Sequence, residues 1–303
     1  MFAVTVLGNN SALPMHDRHP TAQVLTYKEQ LFLIDCGEGT QMQMNAFKIR
    51  RSRIGHIFIS HLHGDHYFGL FGLLNSYGLN GRRDPLHIHA PAALEPLLKL
   101  SFDVADVNLP YALHFHAIRQ GSVLLDDENL MVTAFPVTHR IECWGFLFRE
   151  KPRPRKVIPE KAREAGIPQA FYPQLKAGSD YRHKEGHITL NEEVTEPGPA
   201  ARSYAYCADT LYEPQKIGEV VKNCSMIYHE ATYLEDQQEK AAARYHSTAA
   251  QAARIAADAG VNKLLIGHFS SRYTDLQPFL EESRSIFSAT DLAIEGTTYL
   301  VGK

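Results

Sequence analysis

Short apolar runs recur along this chain, and most of them end on polar or ionisable residues. Residues 2–7 and 23–26 read as strands, and residues 31–35 and 54–59 read as buried ones. Another short strand is expected at 86–90, followed by a helix over about 92–100 with Pro91 near its first turn. Helical spacing also predicts helices over about 41–47, 67–77, 213–221 and 277–286. Residues 111–118 and 123–135 read as paired strands with a polar turn at Asp126 to Asn129. An alanine-rich helix begins after Thr248, which forms a capping box with Gln251, and Gly260 closes it. Two short strands complete the tail. His87, His89, His114 and His116 fall at period two on predicted strands and read as residues of one sheet face.

The run at 54–59 delivers His61-Leu62-His63-Gly64-Asp65-His66. That places imidazoles and a carboxylate at the C-terminal end of a strand, where α/β sheets hold their chemistry. A surface turn with incidental histidines is the plain alternative. Three imidazoles and a carboxylate confined to six residues set it aside, because this donor set suits a zinc-like ion. His61 and His63 project to one side and Asp65 and His66 to the other, which implies two metals. Two ions roughly 3.5–4 Å apart need a bridging carboxylate and further histidines from elsewhere.

The chain supplies them at later strand ends. His139 follows the strand ending near 137, Asp209 the strand at 204–208, and His268 the strand at 263–266. The assignment is His61, His63 and His139 to one metal, Asp65, His66 and His268 to the other, with Asp209 bridging. A hydroxide between the ions would be the nucleophile, suited to attack on phosphorus or on an acyl carbon. His246 lies just before a helix N-terminus that favours an anion, and fits proton donation to a leaving alkoxide. Glu230 either orients and charges that histidine or shares in the proton transfer. Asp35 and the glycines of Asp35-Cys36-Gly37-Glu38-Gly39 support the metal loop from behind or serve as a tight corner.

Composition narrows the setting. The chain has 303 residues, 44% of them hydrophobic, enough for one large α/β domain or two small ones. A formal charge of −3 means that any grip on nucleic acid is a local patch. Cys36, Cys143, Cys207 and Cys224 are scattered without a C-x-x-C pair and read as reduced thiols of a cytoplasmic protein. The N-terminus lacks the basic region of a signal peptide, and no apolar run reaches the roughly 18 residues of a membrane span.

Residues 150–200 differ from the rest. Between 149 and 187 there are ten Lys or Arg against five Asp or Glu, a local +5. Proline, glycine and charge dominate, with little apolar periodicity. A solvated, disordered insertion is one reading. Its positive charge, with Phe171, Tyr172 and Tyr181 interspersed, favours an extruded flexible arm that grips phosphates through Arg153, Arg155 and Lys156.

The motifs together resemble the metallo-β-lactamase superfamily and, more closely, its ribonuclease Z family. The resemblance rests on Ser60 to His66 followed by Phe68-Gly69-Leu70, Asp209-Thr210, His229-Glu230-Ala231-Thr232, His246-Ser247-Thr248 and Gly267-His268-Phe269-Ser270-Ser271-Arg272-Tyr273. It covers nearly the whole chain. It implies a single domain over 1–303, an αβ/βα sandwich of two mixed sheets with helices on the outer faces, and a two-zinc site. It implies removal of the 3′ trailer from precursor tRNA, leaving a 3′-hydroxyl on the tRNA and a 5′-phosphate on the trailer. Asp65 would be ligand and base, His246 the proton donor, and Arg18 and Arg272 substrate contacts. A homodimer is implied, one subunit's arm holding a tRNA whose 3′ end enters the other. The loop Pro14 to His19 departs from the family's P-x-K-x-R-N, keeping Pro14 and Arg18. The competing readings are a metal-dependent phosphodiesterase of another substrate on the same scaffold, and an RNA-binding protein with a structural metal.

Overall fold

The computed structural model describes residues 1–302. They divide into two compact units, the larger built from residues 1–126, 132–148 and 203 onward. Two seven-stranded sheets organise the larger unit. The first runs in the order Thr298–Leu300, Phe2–Gly8, Ala22–Tyr27, Gln30–Ile34, Ile54–Phe58, Leu86–Ala90, Leu113–Ala117. It is antiparallel up to Gln30–Ile34 and parallel beyond. The second runs Thr290–Leu292, Leu264–Gly267, Met226–Glu230, Ser203–Cys207, Cys143–Glu150, Leu130–Val137, Val123–Asp126, its first four strands parallel. Ser203–Cys207 and Met226–Glu230 are buried at every position, as strands covered on both faces must be.

Each face has its own packing partner. Leu33, Ile57 and Ile88 of the first sheet pack with Leu70, Leu73 and Leu74 of helix Gly64–Leu79 and with Leu94 and Leu98 of helix Leu94–Val104. The opposite face turns Phe32 and Phe58 toward Phe146 and Phe148 of the second sheet, with ring centroids 5.4–5.9 Å apart. Tilted and edge-on aromatic pairs of this kind are worth about 0.5–1.5 kcal/mol beyond their buried area. Helix Ala249–Asp258 covers the second sheet from outside, and its capping box between Thr248 and Gln251 is present as predicted. The result is the expected sandwich, with sheets inside and helices outside. Among the described residues, no helix is long and apolar enough to cross a membrane.

Two expectations change. Leu113–Ala117 and Val123–Asp126 do not pair, because the first is the edge of one sheet and the second the edge of the other. Each run alternates as a strand should, but nothing local says which sheet a strand joins. The helix after the histidine motif also begins earlier, at Gly64, so Asp65 and His66 sit in its first turn with His63 at its N-cap. The histidines at 87, 89, 114 and 116 do share a face. The register pairs His56 with His87 with His114, and His89 with His116.

The smaller unit comprises residues 127–131 and 149–202. It contains helices Pro159–Glu164, Tyr172–Lys176 and Asn191–Val194, and two short antiparallel ladders, Lys156–Val157 with Thr195–Glu196 and Tyr181–Arg182 with Ile188–Thr189. Ala162, Ile167, Leu175 and Val194 form its core, flanked by Val157, Phe171, Tyr172 and Tyr181. The insertion is therefore a folded unit and not the irregular segment that its composition suggests. Its core residues come one at a time from elements too short to show a period. Glu150, buried, accepts hydrogen bonds from Arg202 Nη2 at 2.8 Å and Arg153 Nη2 at 2.7 Å. Burial opposes its ionisation, but these arginines hold its carboxyl down at about 2. Arg155 donates from Nε to Thr195 Oγ1 at 2.7 Å. Arg153 and Arg155 thus make hydrogen bonds within the insertion, though Arg153, like Lys156, is exposed and Arg155 half-buried. The two arginines, read from composition as part of a phosphate grip, also tie the insertion's own chain together.

Candidate metal centre

The predicted ligands converge, and they do so in two sets. His61 Nε2 and His139 Nε2 each lie 3.1 Å from His63 Nδ1. His66 Nε2 and His268 Nε2 lie 3.3 Å apart, and 3.6 and 3.4 Å from Asp65 Oδ2. Asp209 stands between. Its Oδ2 is 3.7 Å from His61 Nε2 and 3.9 Å from His139 Nε2. Its Oδ1 is 3.5 Å from His66 Nε2 and 3.3 Å from His268 Nε2. One carboxylate thus offers one oxygen to each set, the geometry of a bridge. Zinc–nitrogen bonds of about 2.0–2.1 Å in a tetrahedron put neighbouring nitrogens about 3.3 Å apart, close to the spacing seen.

The far nitrogen of each Nε2 donor is also held. His61 Nδ1 meets Ser60 Oγ at 3.0 Å, His66 Nδ1 meets Asp35 Oδ2 at 2.8 Å, His139 Nδ1 meets the Tyr245 carbonyl at 2.9 Å, and His268 Nδ1 meets Thr232 Oγ1 at 2.9 Å. Such partners fix ring orientation and tautomer for metal binding. Asp35 is the hub behind the site, as its place before the corner suggested. It is fully buried in the left-handed region at φ 55° and accepts from Ser60 N, Ser60 Oγ and Tyr206 Oη at 2.6–2.8 Å. His268 is likewise left-handed, at φ 60°, which turns its ring out of the strand ending at Gly267. Gly37 has a definite reason to be glycine: a Cβ there would come 2.4 Å from the Asp65 carbonyl oxygen.

The electrostatics call for positive charge. Burial, followed by the neighbouring His66, pushes His61 well below the usual imidazole range, and burial with His139 takes His63 down to about 4. Burial also opposes a charge on His66, yet Asp209, Asp65 and Asp35 hold it well above that range. Burial resists ionisation of Asp209, but His268 and His66 keep it a carboxylate. The same holds for Asp65, with His66 the leading attraction. His61 and His63 are thus held unprotonated and both aspartates ionised, the states that ligate a divalent ion, while the pull of three carboxylates on His66 shows the positive charge that the site calls for, so the donor set fits the metal its motif implies.

Beside the ligands lies an open cleft of about 470 Å³, lined in part by Leu13, His63, Asp65, Phe68, Arg140, Asp209 and His246. His246 Nδ1 is 3.0 Å from Glu230 Oε1. Burial lowers its affinity for a proton, but Glu230 more than offsets this and holds His246 above the usual imidazole range. Glu230 is fully buried and accepts from the backbone of Thr210, Thr232 and Ser247 and from Thr232 Oγ1. The helix N-terminus beyond His246 is not an anion site. Its amides are taken: Ser247 by Glu230, Ala249 by the Tyr233 carbonyl, Ala250 by Glu282 and Gln251 by Thr248.

Arg18 and Arg272 are absent from the cleft lining. Arg18 donates to the Tyr273 carbonyl at 2.6 Å, and Arg272 to Gln237 Oε1 at 2.9 Å. With His16 bonded to the Ser271 carbonyl at 2.8 Å, Arg18 fastens the loop at 12–19 to the segment after His268. Sequence reasoning missed Arg140 and Phe68 as cleft residues. Their signal was adjacency, Arg140 next to His139 and Phe68 two residues after His66. It also missed Ala12, whose backbone N–H meets Asp65 Oδ2 at 2.7 Å.

Fold and donor set together define a protein of the metallo-β-lactamase fold. Solved structures agree. Human tRNase Z, short form, superposes with a TM-score of 0.71 at 25% identity over 99% of both chains. The metallo-β-lactamase fold protein YhfI of Bacillus subtilis superposes with a TM-score of 0.70 at 17% identity over 98% of both, which bears on the fold alone. A family model described as Anti-Pycsar protein Apyc1 matches residues 2–142. The ribonuclease Z of Bacteroides fragilis (strain YCH46) is 45% identical over 296 residues, 97% of each chain. That of Cytophaga hutchinsonii is 41% identical over 303 residues, 99% of this chain and 96% of its own. The chain belongs to the ribonuclease Z family and is an endoribonuclease.

Proposed function

We propose that this endoribonuclease removes the 3′ trailer from precursor tRNA, using two divalent ions of the zinc class per subunit. His61, His63 and His139 would hold one ion, Asp65, His66 and His268 the other, and Asp209 would bridge them. When bound, such ions lower the pKa of water and neutralise charge on the phosphate. The observation that carries this reading is the Asp209 carboxylate, one oxygen facing each nitrogen set, beside the His246–Glu230 pair.

The chain's own residues account for the proton steps. Asp65 lines the cleft as a carboxylate, so it orients the attacking water and accepts the proton that the water gives up. His246 lines the same cleft, and Glu230 favours its protonated form, so it gives its proton to the departing 3′-oxygen of the tRNA. The phosphorus–O3′ bond breaks as water adds to phosphorus, leaving the phosphate on the trailer. Glu230 is a positioning residue, since its oxygens are already committed to His246, Thr232 and backbone amides. Exposed cations of the insertion, Lys156 and Arg182 among them, meet tRNA phosphates. The protein acts as a cytoplasmic homodimer, one subunit's insertion holding a tRNA whose 3′ end enters the partner. All four cysteines are buried free thiols, which suits a reducing compartment.

His246→Ala tests this. Precursor tRNA cleavage should slow by about 10²–10⁴-fold with bound metal unchanged by elemental analysis. A fall in bound metal would make His246 a ligand, a role its closeness to Asp209 and His268 also permits.

A further inference from the structure

A second, separate group of metal-type donors lies within the insertion, at the tip of the hairpin Tyr181–Arg182/Ile188–Thr189. The register pairs Tyr181 with Thr189 and Arg182 with Ile188, so His183 and His187 are the next cross-strand pair. The His183 N–H donates to the His187 carbonyl at 2.9 Å, and Gly186, at φ +94°, closes the turn with its N–H on the His183 carbonyl at 3.0 Å. Directly opposed side chains on one face must meet, and the two imidazoles stack with centroids 3.7 Å apart. Glu185 occupies the turn between them. One ligand atom from each of His183, Glu185 and His187 lies within 4.8 Å of the other two.

The ring of His183 is held from behind. Its Nε2 is 2.9 Å from Thr189 Oγ1, which occupies that nitrogen and leaves Nδ1 as the ligating one. The edge-on ring of Tyr181 packs against it at 4.7 Å, and Phe171 packs against Tyr181 at 4.9 Å. This is the pattern seen at the main centre, where an oxygen partner fixes the far nitrogen of a ligating imidazole. Glu185 and His187 are exposed, so changes of side-chain rotamer close the remaining gap.

We propose that His183, Glu185 and His187 form a further metal site, selective for a borderline divalent ion such as Zn2+, Ni2+ or Cu2+. Two imidazoles and one carboxylate suit those ions, whereas Mg2+ and Ca2+ require oxygen shells. Three protein donors leave a fourth position open to water or another oxygen ligand. Bound metal would fasten the two strands of the hairpin at their tip. The site needs neither tRNA nor the main centre, so its failure would not touch the cleavage mechanism.

The test compares the full-length protein with its His187→Ala and Glu185→Gln variants by equilibrium dialysis against Zn2+ and elemental analysis. The wild type should retain one molar equivalent more than His187→Ala, and Glu185→Gln should need a higher Zn2+ concentration for that equivalent. Turnover of a chromogenic phosphodiester and the far-UV circular dichroism should be the same in all three. Equal zinc content in wild type and His187→Ala would overturn the site. Displacement of the extra equivalent by an equal concentration of Mg2+ or Ca2+ would overturn its selectivity.

Discussion

Two clusters of histidines in the larger unit use the same side chain to opposite ends. At the metal centre, ring nitrogens converge around carboxylates, and the far nitrogens of His61, His66, His139 and His268 are pinned by oxygen. On the first sheet, His56, His87, His89, His114 and His116 stack on one another at centroid separations of 4.7–5.4 Å, with Phe58 beside His89 at 4.8 Å. Their ring nitrogens meet those of other rings, as in His56 Nδ1 to His89 Nε2 at 3.1 Å and His87 Nδ1 to His116 Nε2 at 2.9 Å. The difference lies in the backbone beneath. A strand spaces side chains at period two and keeps them parallel, whereas strand ends and a helix's first turn let them converge. Carboxylates complete the distinction, because at the metal centre Asp65 and Asp209 draw in a cation.

The largest effect should come from Asp209→Ala. It removes the oxygen facing each set, so metal content should fall and precursor tRNA cleavage should drop by about 10³-fold or more. Elemental analysis beside single-turnover cleavage checks this, and a variant that still holds two ions would refute the bridge. A smaller effect is expected in the insertion. Lys156→Ala with Arg182→Ala should weaken tRNA binding and lower the slope of log affinity against log salt by about 0.7–0.9 for each phosphate no longer neutralised. Turnover of a small phosphodiester should be unchanged, and equal loss on both substrates would sink the phosphate-grip reading.

The smallest effect concerns the sheet cluster and shows only with pH. Burial, aided by His56, pushes His89 down to about 3. Its folded pKa lies below the unfolded value of about 6.5, so below pH 6.5 the unfolded chain binds the extra proton. The stability that neutral His89 preserves is therefore full above pH 6.5 and falls steadily as pH drops toward 3. Thermal melts of wild type and His89→Gln from pH 7.5 to 5 should show a shallower fall in the variant, with metal content equal in both. Loss of metal in His89→Gln would break the contrast between the two clusters.

Much of the centre could be read from the chain because its candidate ligands sit where apolar runs stop. His139, Asp209 and His268 each follow a strand of the second sheet, and the four-residue run before His268 is fully buried. Asp35 was legible for the same reason, at the end of Gln30–Ile34. Partners that come from backbone groups or distant loops were not legible: the Tyr245 carbonyl on His139, the Ala12 amide on Asp65, Thr232 on His268. The supposed anion site after His246 failed for that reason. Glu230, Tyr233 and Glu282 reach its amides from elsewhere in the chain. In the insertion, charge was legible, but the bonds that Arg153 and Arg155 make to Glu150 and Thr195 were not, since those partners come from other parts of the insertion.

The central claim is that the bridged donor set makes this chain a metal-dependent enzyme of tRNA 3′ maturation. It is tested most directly by incubating the protein with a 3′-extended precursor tRNA, with and without chelator, and mapping both new ends. The account predicts a 3′-hydroxyl on the tRNA and a 5′-phosphate on the trailer, lost with chelator and restored by zinc. A 2′,3′-cyclic phosphate on the tRNA, or cleavage indifferent to chelator, would contradict it.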